Sequence, residues 1–242
     1  MTCKLCRGNK GLCDSHVLPE FVWKPIYDQK HRIEEVTSLH KQMRILQKGL
    51  RERLLCPDCE QYLNDNYEKY FVDVWYEKGL APTNMAQDCV CVSGLDYARF
   101  KLFNLSILWR AGVSTLEQFK EVSLGKHEEI LRSMIQNRDP GPEHQYGILA
   151  YALTSPQTGE VCQEIVTAPT RTYFQDSHVG YDFIFGGFLW RYLVNQETAR
   201  YFLRLLFKPS GKLLIIRLNI DEYKPIMSMM KNRINKGWEE EE

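Results

Sequence analysis

Residues 54–71 read LLCPDCEQYLNDNYEKYF, and the fold turns on how this stretch is taken. Two leucines lead into a Cys-Pro-Asp-Cys pair, and an amphipathic pattern begins at once. Leu63, Tyr67, Tyr70 and Val74 recur at steps of three and four and so share one face of a helix. The stretch therefore predicts a short strand, a tight turn, and a helix that carries Cys56 and Cys59 in its first turn.

A second pair stands at the start of the chain, Cys3 and Cys6 in CKLC. Two residues between cysteines let one turn aim both thiolates at the same ion, and four thiolates complete a tetrahedral structural zinc site. The 50-residue sequence gap between the pairs is no obstacle, since coordination requires closeness in space. Each alternative meets an objection. A thioredoxin-like motif needs one pair, and disulfides need an oxidising compartment. A zinc deaminase places its HxE before Pro-Cys-x-x-Cys, whereas here Pro57 lies inside the pair and the HxE, His127 with Glu129, follows both. Rubredoxin-like iron tolerates that proline, but the helix after Cys59 points to a zinc fold. The remaining cysteines, Cys13, Cys89, Cys91 and Cys162, read as small buried hydrophobes, with Cys13 a substitute ligand for Cys3.

The arrangement of CxxC, then SHVLP at 15–19, then LLCPDCE at 54–60, resembles the zinc-stabilised branch of the HNH endonucleases. Their treble-clef, ββα-metal motif reads Asp-His-Ile-x-Pro, a central Asn, and Cys-x-x-Cys-His. The likeness covers the first third of the chain. It implies a phosphodiester hydrolase in which His16 is the general base, neutral near pH 7 as histidine's intrinsic pKa allows, with Pro19 matching the motif proline. It further implies a catalytic divalent ion, Mg²⁺ or Mn²⁺, beside the structural Zn²⁺, a nucleic-acid partner, DNA foremost, and a role in defence against phage.

Several positions depart from that pattern. Ser15 stands where the family has Asp or His, with Asp14 one step back on the other strand face. Arg51 or Glu52 falls at the central Asn, and Glu60 replaces the residue after the fourth cysteine. Glu60, Asn64 and Glu68, spaced by four, line one helix face roughly 90° from the apolar one. Oxygen donors on successive turns suit a hard cation, so the candidate divalent set is Asp14, Ser15, Glu60, Asn64 and Glu68, with His16, Glu60 and Asn64 as catalytic candidates. The plainer reading of that face is a solvated polar stripe, and of His16 a packed residue between Val17 and its neighbours. A treble clef without activated water, binding nucleic acid or a protein, is the alternative function, and Ser15 and Glu60 favour it.

Charge is balanced overall, 31 basic against 31 acidic residues, which excludes a wholly basic coat for nucleic acid. Locally, Lys30, Arg32, Lys41, Arg44, Lys48, Arg51 and Arg53 outnumber Glu34, Glu35 and Glu52. Lys41, Arg44, Lys48, Arg51 and Arg53 are the candidate phosphate contacts, unless the segment is simply a solvated loop. No apolar run reaches the length of a membrane span, and MTCKLC lacks a signal-peptide core, so the expected compartment is the cytoplasm without membrane association.

Outward from the cysteines, the expected fold class is α+β in three parts: a zinc-bound module at 1–78, a helical segment at 79–140, and an α+β region at 141–242 open to a protein partner. DYARFKLFNLSILWRA, 96–111, is apolar nearly all round, as in a helix buried on several sides. Ser114 with Glu117 reads as a capping box, and Ile130, Leu131, Met134 and Ile135 give a further helix. Beyond QNRDPGPEHQ the pattern turns strand-like: YGILAYAL, CQEIVTA, YDFIFGGFLW, and a hairpin in which LRLLF and KLLIIRL flank KPSG. A final helix is expected from near Asp221, and the acidic end Glu239–Glu242 as a solvated run.

Overall fold

The computed structural model describes residues 1–30, 32–35, 44–47, 49–173, 179–194 and 202–228. The expected α+β class is what the chain adopts, with an N-terminal cysteine cluster and a C-terminal sheet that is largely antiparallel.

In the N-terminal part a knuckle formed by residues 3–8 is closed by Cys3 N–H donating to Gly8 O and Arg7 N–H to Cys3 O. Strand β1 (Asp14–His16) follows, then a short helix α1 (Glu20–Trp23), and then a ribbon of β2 (Arg32–Glu35) and β3 (Arg44–Gln47). The chain returns in β4 (Arg51–Arg53), antiparallel to β1 with His16 opposite Arg51, Ser15 opposite Glu52 and Asp14 opposite Arg53. Lys4 N–H donates to Leu54 O and Cys13 N–H to Leu55 O, so the knuckle is stitched to the segment entering Cys56.

A helical rod then spans residues 57–77. It is α-helical in α2 (Pro57–Leu63), π-helical over Asn64–Glu68, α-helical in α3 (Lys69–Val72) and π-helical again over Asp73–Glu77. Pro57 sits in the first turn, where its missing N–H costs nothing. The wider i→i+5 turns raise the repeat above 3.6 residues, so residues four apart stack in straight rows. Leu63, Tyr67, Phe71 and Trp75 form the buried row, and Tyr70, expected on that face, is only partly covered.

The apolar run at 96–111 is α4 (Tyr97–Val113), N-capped by Asp96 through Arg99 N–H and buried along nearly its whole length. It lies against the helical rod, against α5 (His127–Asn137) and against the sheet, which it meets through Phe100 on Trp190 and through Tyr192 OH donating to Asn104 Oδ1. The expected capping box at Ser114 is not one. Its hydroxyl donates to Glu52 while accepting from Leu116 N–H, and only a 3₁₀ turn, Glu117–Phe119, follows.

Among the described residues, six strands build the sheet in the order β5, β10, β6, β9, β8, β7, where β5 is Cys89–Val92, β6 Ile148–Thr154, β7 Thr170–Tyr173, β8 Val179–Phe185, β9 Phe188–Leu193 and β10 Leu213–Asn219. Only β10 with β6 is parallel. β8 and β9 close through Gly186 and Gly187, both at positive φ, as a two-residue hairpin turn demands. YGILAYAL and YDFIFGGFLW thus fold as read. CQEIVTA does not, since the strand begins only after Pro169, at Thr170. LRLLF is also no strand. The KPSG turn forms, but β10 takes β5 and β6 as partners, and Leu206 instead packs on Leu149 and Leu193. β5 lay unread within the segment expected to be helical, and as an edge strand it leaves Cys89 and Cys91 exposed rather than buried. A 3₁₀ turn at Ile220–Glu222 precedes helical residues 224–228, close to the expected final helix. One continuous cluster of buried side chains runs from Cys3 to Ile215, so the cysteine-bearing part, the central helices and the sheet share a core. Among the described residues no helix is long and apolar enough to cross a membrane.

A cysteine cluster beside a polar cleft

The four predicted cysteines converge. The sulfurs of Cys3, Cys6, Cys56 and Cys59 all lie within 4.8 Å of one another. A tetrahedral zinc with bonds of about 2.3 Å sets its sulfurs about 3.8 Å apart, and Cys6 Sγ to Cys56 Sγ is 3.9 Å. Cys56 N–H donates to Cys3 Sγ at 3.3 Å, the kind of contact that stabilises a thiolate. Burial would raise the Cys3 thiol, but the backbone N–H groups of Cys6, Cys56 and Leu5 outweigh it and bring it down to about 7. Cys59, by contrast, is pushed far up by burial and by the crowding of its three neighbours. Four sulfurs, three of them buried, fit a metal ion such as zinc. Cys13 is not part of the cluster. It lies in the wall of the neighbouring cleft.

That cleft, about 460 Å³, is lined by His16, Pro19 and Lys24, by Glu60, Gln61, Asn64 and Glu68 of the rod, and by Arg110 from α4. It continues along the rod into a second hollow that shares Phe21, Asn64 and Glu68. The helix spacing that placed Glu60, Asn64 and Glu68 on one face is therefore what brings all three into one cleft with His16, and the cysteine cluster adjoins it in sequence: Glu60 directly follows Cys59, and β4, paired with the His16 strand, runs into Cys56.

The individual groups differ in what they are doing. Glu60 Oε1 is buried without a hydrogen-bond partner, a costly state for a carboxylate oxygen unless a cation or proton meets it. Glu68 receives the Arg110 guanidinium at 2.8 Å, and desolvation holds its carboxyl above the usual range despite that cation. Arg110, itself 1% exposed, also donates to the backbone oxygen of His16 at 3.2 Å, which ties α4 to both cleft walls. His16 Nε2 accepts from Arg51 Nε at 3.0 Å. Asp14 is drawn to the same arginine, 3.7 Å away, and does not line the cleft. Ser15 points the other way. It is 1% exposed and its Oγ accepts from Leu55 N–H, so its oxygen serves the scaffold and not the cleft.

The candidate divalent set is thus not assembled as a whole. Among the described residues, the four cysteines are the one group of three or more His, Cys, Asp or Glu side chains with converging ligand atoms. Of the five candidate phosphate contacts, Lys41 and Lys48 lie outside the described residues and the Arg44 side chain is not described. Arg53 is exposed on β4, and Arg51 is engaged with His16.

Two participants escaped the sequence reading. Arg110, which follows Trp109 and can be read as capping that ring or as meeting a phosphate or partner, is a central link of the site, and the signal was a permanent charge on a helix that is buried nearly throughout. Glu52, weighed at the central Asn position, accepts from the Ser114 hydroxyl and from both the hydroxyl and N–H of Thr115, binding β4 to the end of α4.

No family model, curated protein or solved structure matches the chain.

Proposed function

We propose that the cleft is the active site of a metal-dependent nuclease of the HNH type, with the cysteine-bound zinc as its scaffold. The observation that carries this reading is the buried, unpartnered Glu60 oxygen in the same cleft as His16, one residue beyond a cysteine of the cluster. Glu60 and Asn64 would hold a divalent ion, Mg²⁺ or Mn²⁺, which would supply charge neutralisation at a phosphodiester. His16 accepts a proton from the attacking water as its oxygen bonds to phosphorus and the bond to the leaving oxygen breaks. Lys24 and Arg53 supply positive charge near the cleft and on β4 for the flanking phosphates. DNA is the substrate favoured by the resemblance, and a role in phage defence belongs with it. The sheet-bearing region would then engage a protein partner or a trigger.

The test is plasmid nicking with Mg²⁺ or Mn²⁺. His16→Ala is expected to lower the rate by about 10²–10⁴, and Glu60→Gln to abolish metal-dependent cleavage while zinc content is kept. Equal nicking by wild type and His16→Ala removes the enzyme.

A second reading has its own support. With His16 tied to Arg51 and Glu68 to Arg110, the module would hold nucleic acid or a protein without cutting. DNA retardation in gels without nicking, unchanged in His16→Ala, is its signature.

A further inference from the structure

The contact between Arg51 and His16 has a consequence that follows from proton bookkeeping. A guanidinium has only donors. Its Nε–H directed at Nε2, 3.0 Å away, therefore requires Nε2 to present its lone pair, and the ring proton of the neutral imidazole to sit on Nδ1. In that state neither ring nitrogen has a lone pair to offer a water molecule. His16 is correctly placed and chemically occupied.

The arrangement on the other side of Arg51 is loose. Its second partner is Asp14, whose side chain is 63% exposed, at 3.7 Å, and the arginine side chain is itself 28% exposed. Exposed pairs of that length are worth little. A phosphodiester anion is a far better partner for a guanidinium than a neutral imidazole is, because it accepts two parallel, charge-assisted bonds. β4 fixes the arginine backbone directly opposite His16, so a side-chain rotation is enough to exchange one partner for the other.

We infer that Arg51 is a substrate-released latch on His16: it holds Nε2 in the resting protein and gives it up to bind the phosphate of an incoming nucleic acid, which makes the Nε2 lone pair available at the moment substrate arrives. No covalent step is involved, only the exchange of one hydrogen-bond acceptor for another. The catalytic consequence rests on the nuclease reading above, but the latch is tested without turnover.

The experiment is imidazole nitrogen NMR on the full-length, zinc-loaded protein, with the His16 signals assigned by their loss in His16→Gln. The wild type is expected to show Nδ1 protonated and Nε2 as a hydrogen-bonded acceptor. Arg51→Met should shift the Nε2 signal, and a short DNA duplex added without divalent ions should move the wild-type signal in the same direction while leaving Arg51→Met unmoved. A wild-type Nε2 signal that ignores both the substitution and the duplex overturns the latch. Arg51→Lys, which keeps the charge, guards against a folding defect: it should bind duplex yet show the released Nε2 signal, and a wild-type signal in this variant also overturns the inference. In nicking assays, Arg51→Met is expected to raise KM roughly tenfold or more with kcat largely retained; a loss confined to kcat contradicts release. Nicking absent throughout, with the NMR response present, removes the nuclease and leaves the latch.

Discussion

Glu52 is a glutamate whose pH response can be foretold. Burial would raise its carboxyl, but the hydroxyls of Thr115 and Ser114 and the Thr115 N–H outweigh that and hold it below the ordinary value of 4.5. The unfolded chain then binds the proton more tightly than the folded one, so stability rises with pH through this window. Its contribution is complete above 4.5 and is lost as pH falls through the folded value. Glu52→Gln should therefore melt below the wild type at neutral pH, and the two melting temperatures should converge on acidification; a constant gap would mean the carboxylate charge is irrelevant. At this scale the sequence was a good guide to the cysteine cluster and a poor guide to side-chain partners. The cysteine spacing and the Glu60, Asn64, Glu68 row are local patterns and could be read. That Ser15 serves Leu55 while Arg51 faces His16 depends on the β1–β4 register, which joins residues 35 or more apart in the chain and leaves no local trace.

Among the elements, α4 bears an unusual demand, an arginine and a lysine, Arg110 and Lys101, each at 1% exposure. Removing one partner of a buried ion pair strands the other. Arg110→Met is expected to cost about 3–5 kcal/mol in denaturant unfolding, and adding Glu68→Met should recover much of it, because a well-packed apolar pair often replaces a buried ionic one without loss. If the double variant is as unstable as the single one, the arginine's bonds to the His16 oxygen and to Ser106 matter more than its counter-charge. Helices with a clear 3.6-residue pattern were legible, as was the Gly-Gly hairpin. The row shifted from Tyr70 to Phe71 because π turns are not encoded in a 3.6 template. CVCV at 89–92 is an apolar run of only four residues, the shortest length at which a strand can be read, and it sits in a segment whose neighbours read as helix; its valines face inward while its cysteines stay exposed at the sheet edge. Its pairing with β10 in turn displaced the hairpin that the KPSG turn suggested.

For the molecule as a whole, the cysteine cluster joins the N-terminal knuckle to the rod that is wedged into the common core. Elemental analysis should find one zinc per chain. Cys59→Ser is expected to lower zinc content and to reduce the melting temperature of the entire protein in one transition, since the cysteines belong to the same cluster of buried side chains as the central helices and one face of the sheet. A biphasic melt would show that residues 1–78 fold independently after all. The sequence divides the chain at 78 and 140 because breakers lie there; breakers mark turns, and the cluster of buried side chains from Cys3 to Ile215 draws on residues from both sides of each.

The way Arg110 reaches across from α4 makes the cleft a poor candidate for transplantation. Residues 1–78 grafted onto a foreign scaffold would bring their thiols, their imidazole and their row of acids, but the cation that neutralises Glu68 and steadies the His16 carbonyl would stay behind. Such a graft should still load zinc, with Glu68 forced to take up a proton or turn to solvent, and supplying α4 as part of the same fragment is what should restore the wall geometry.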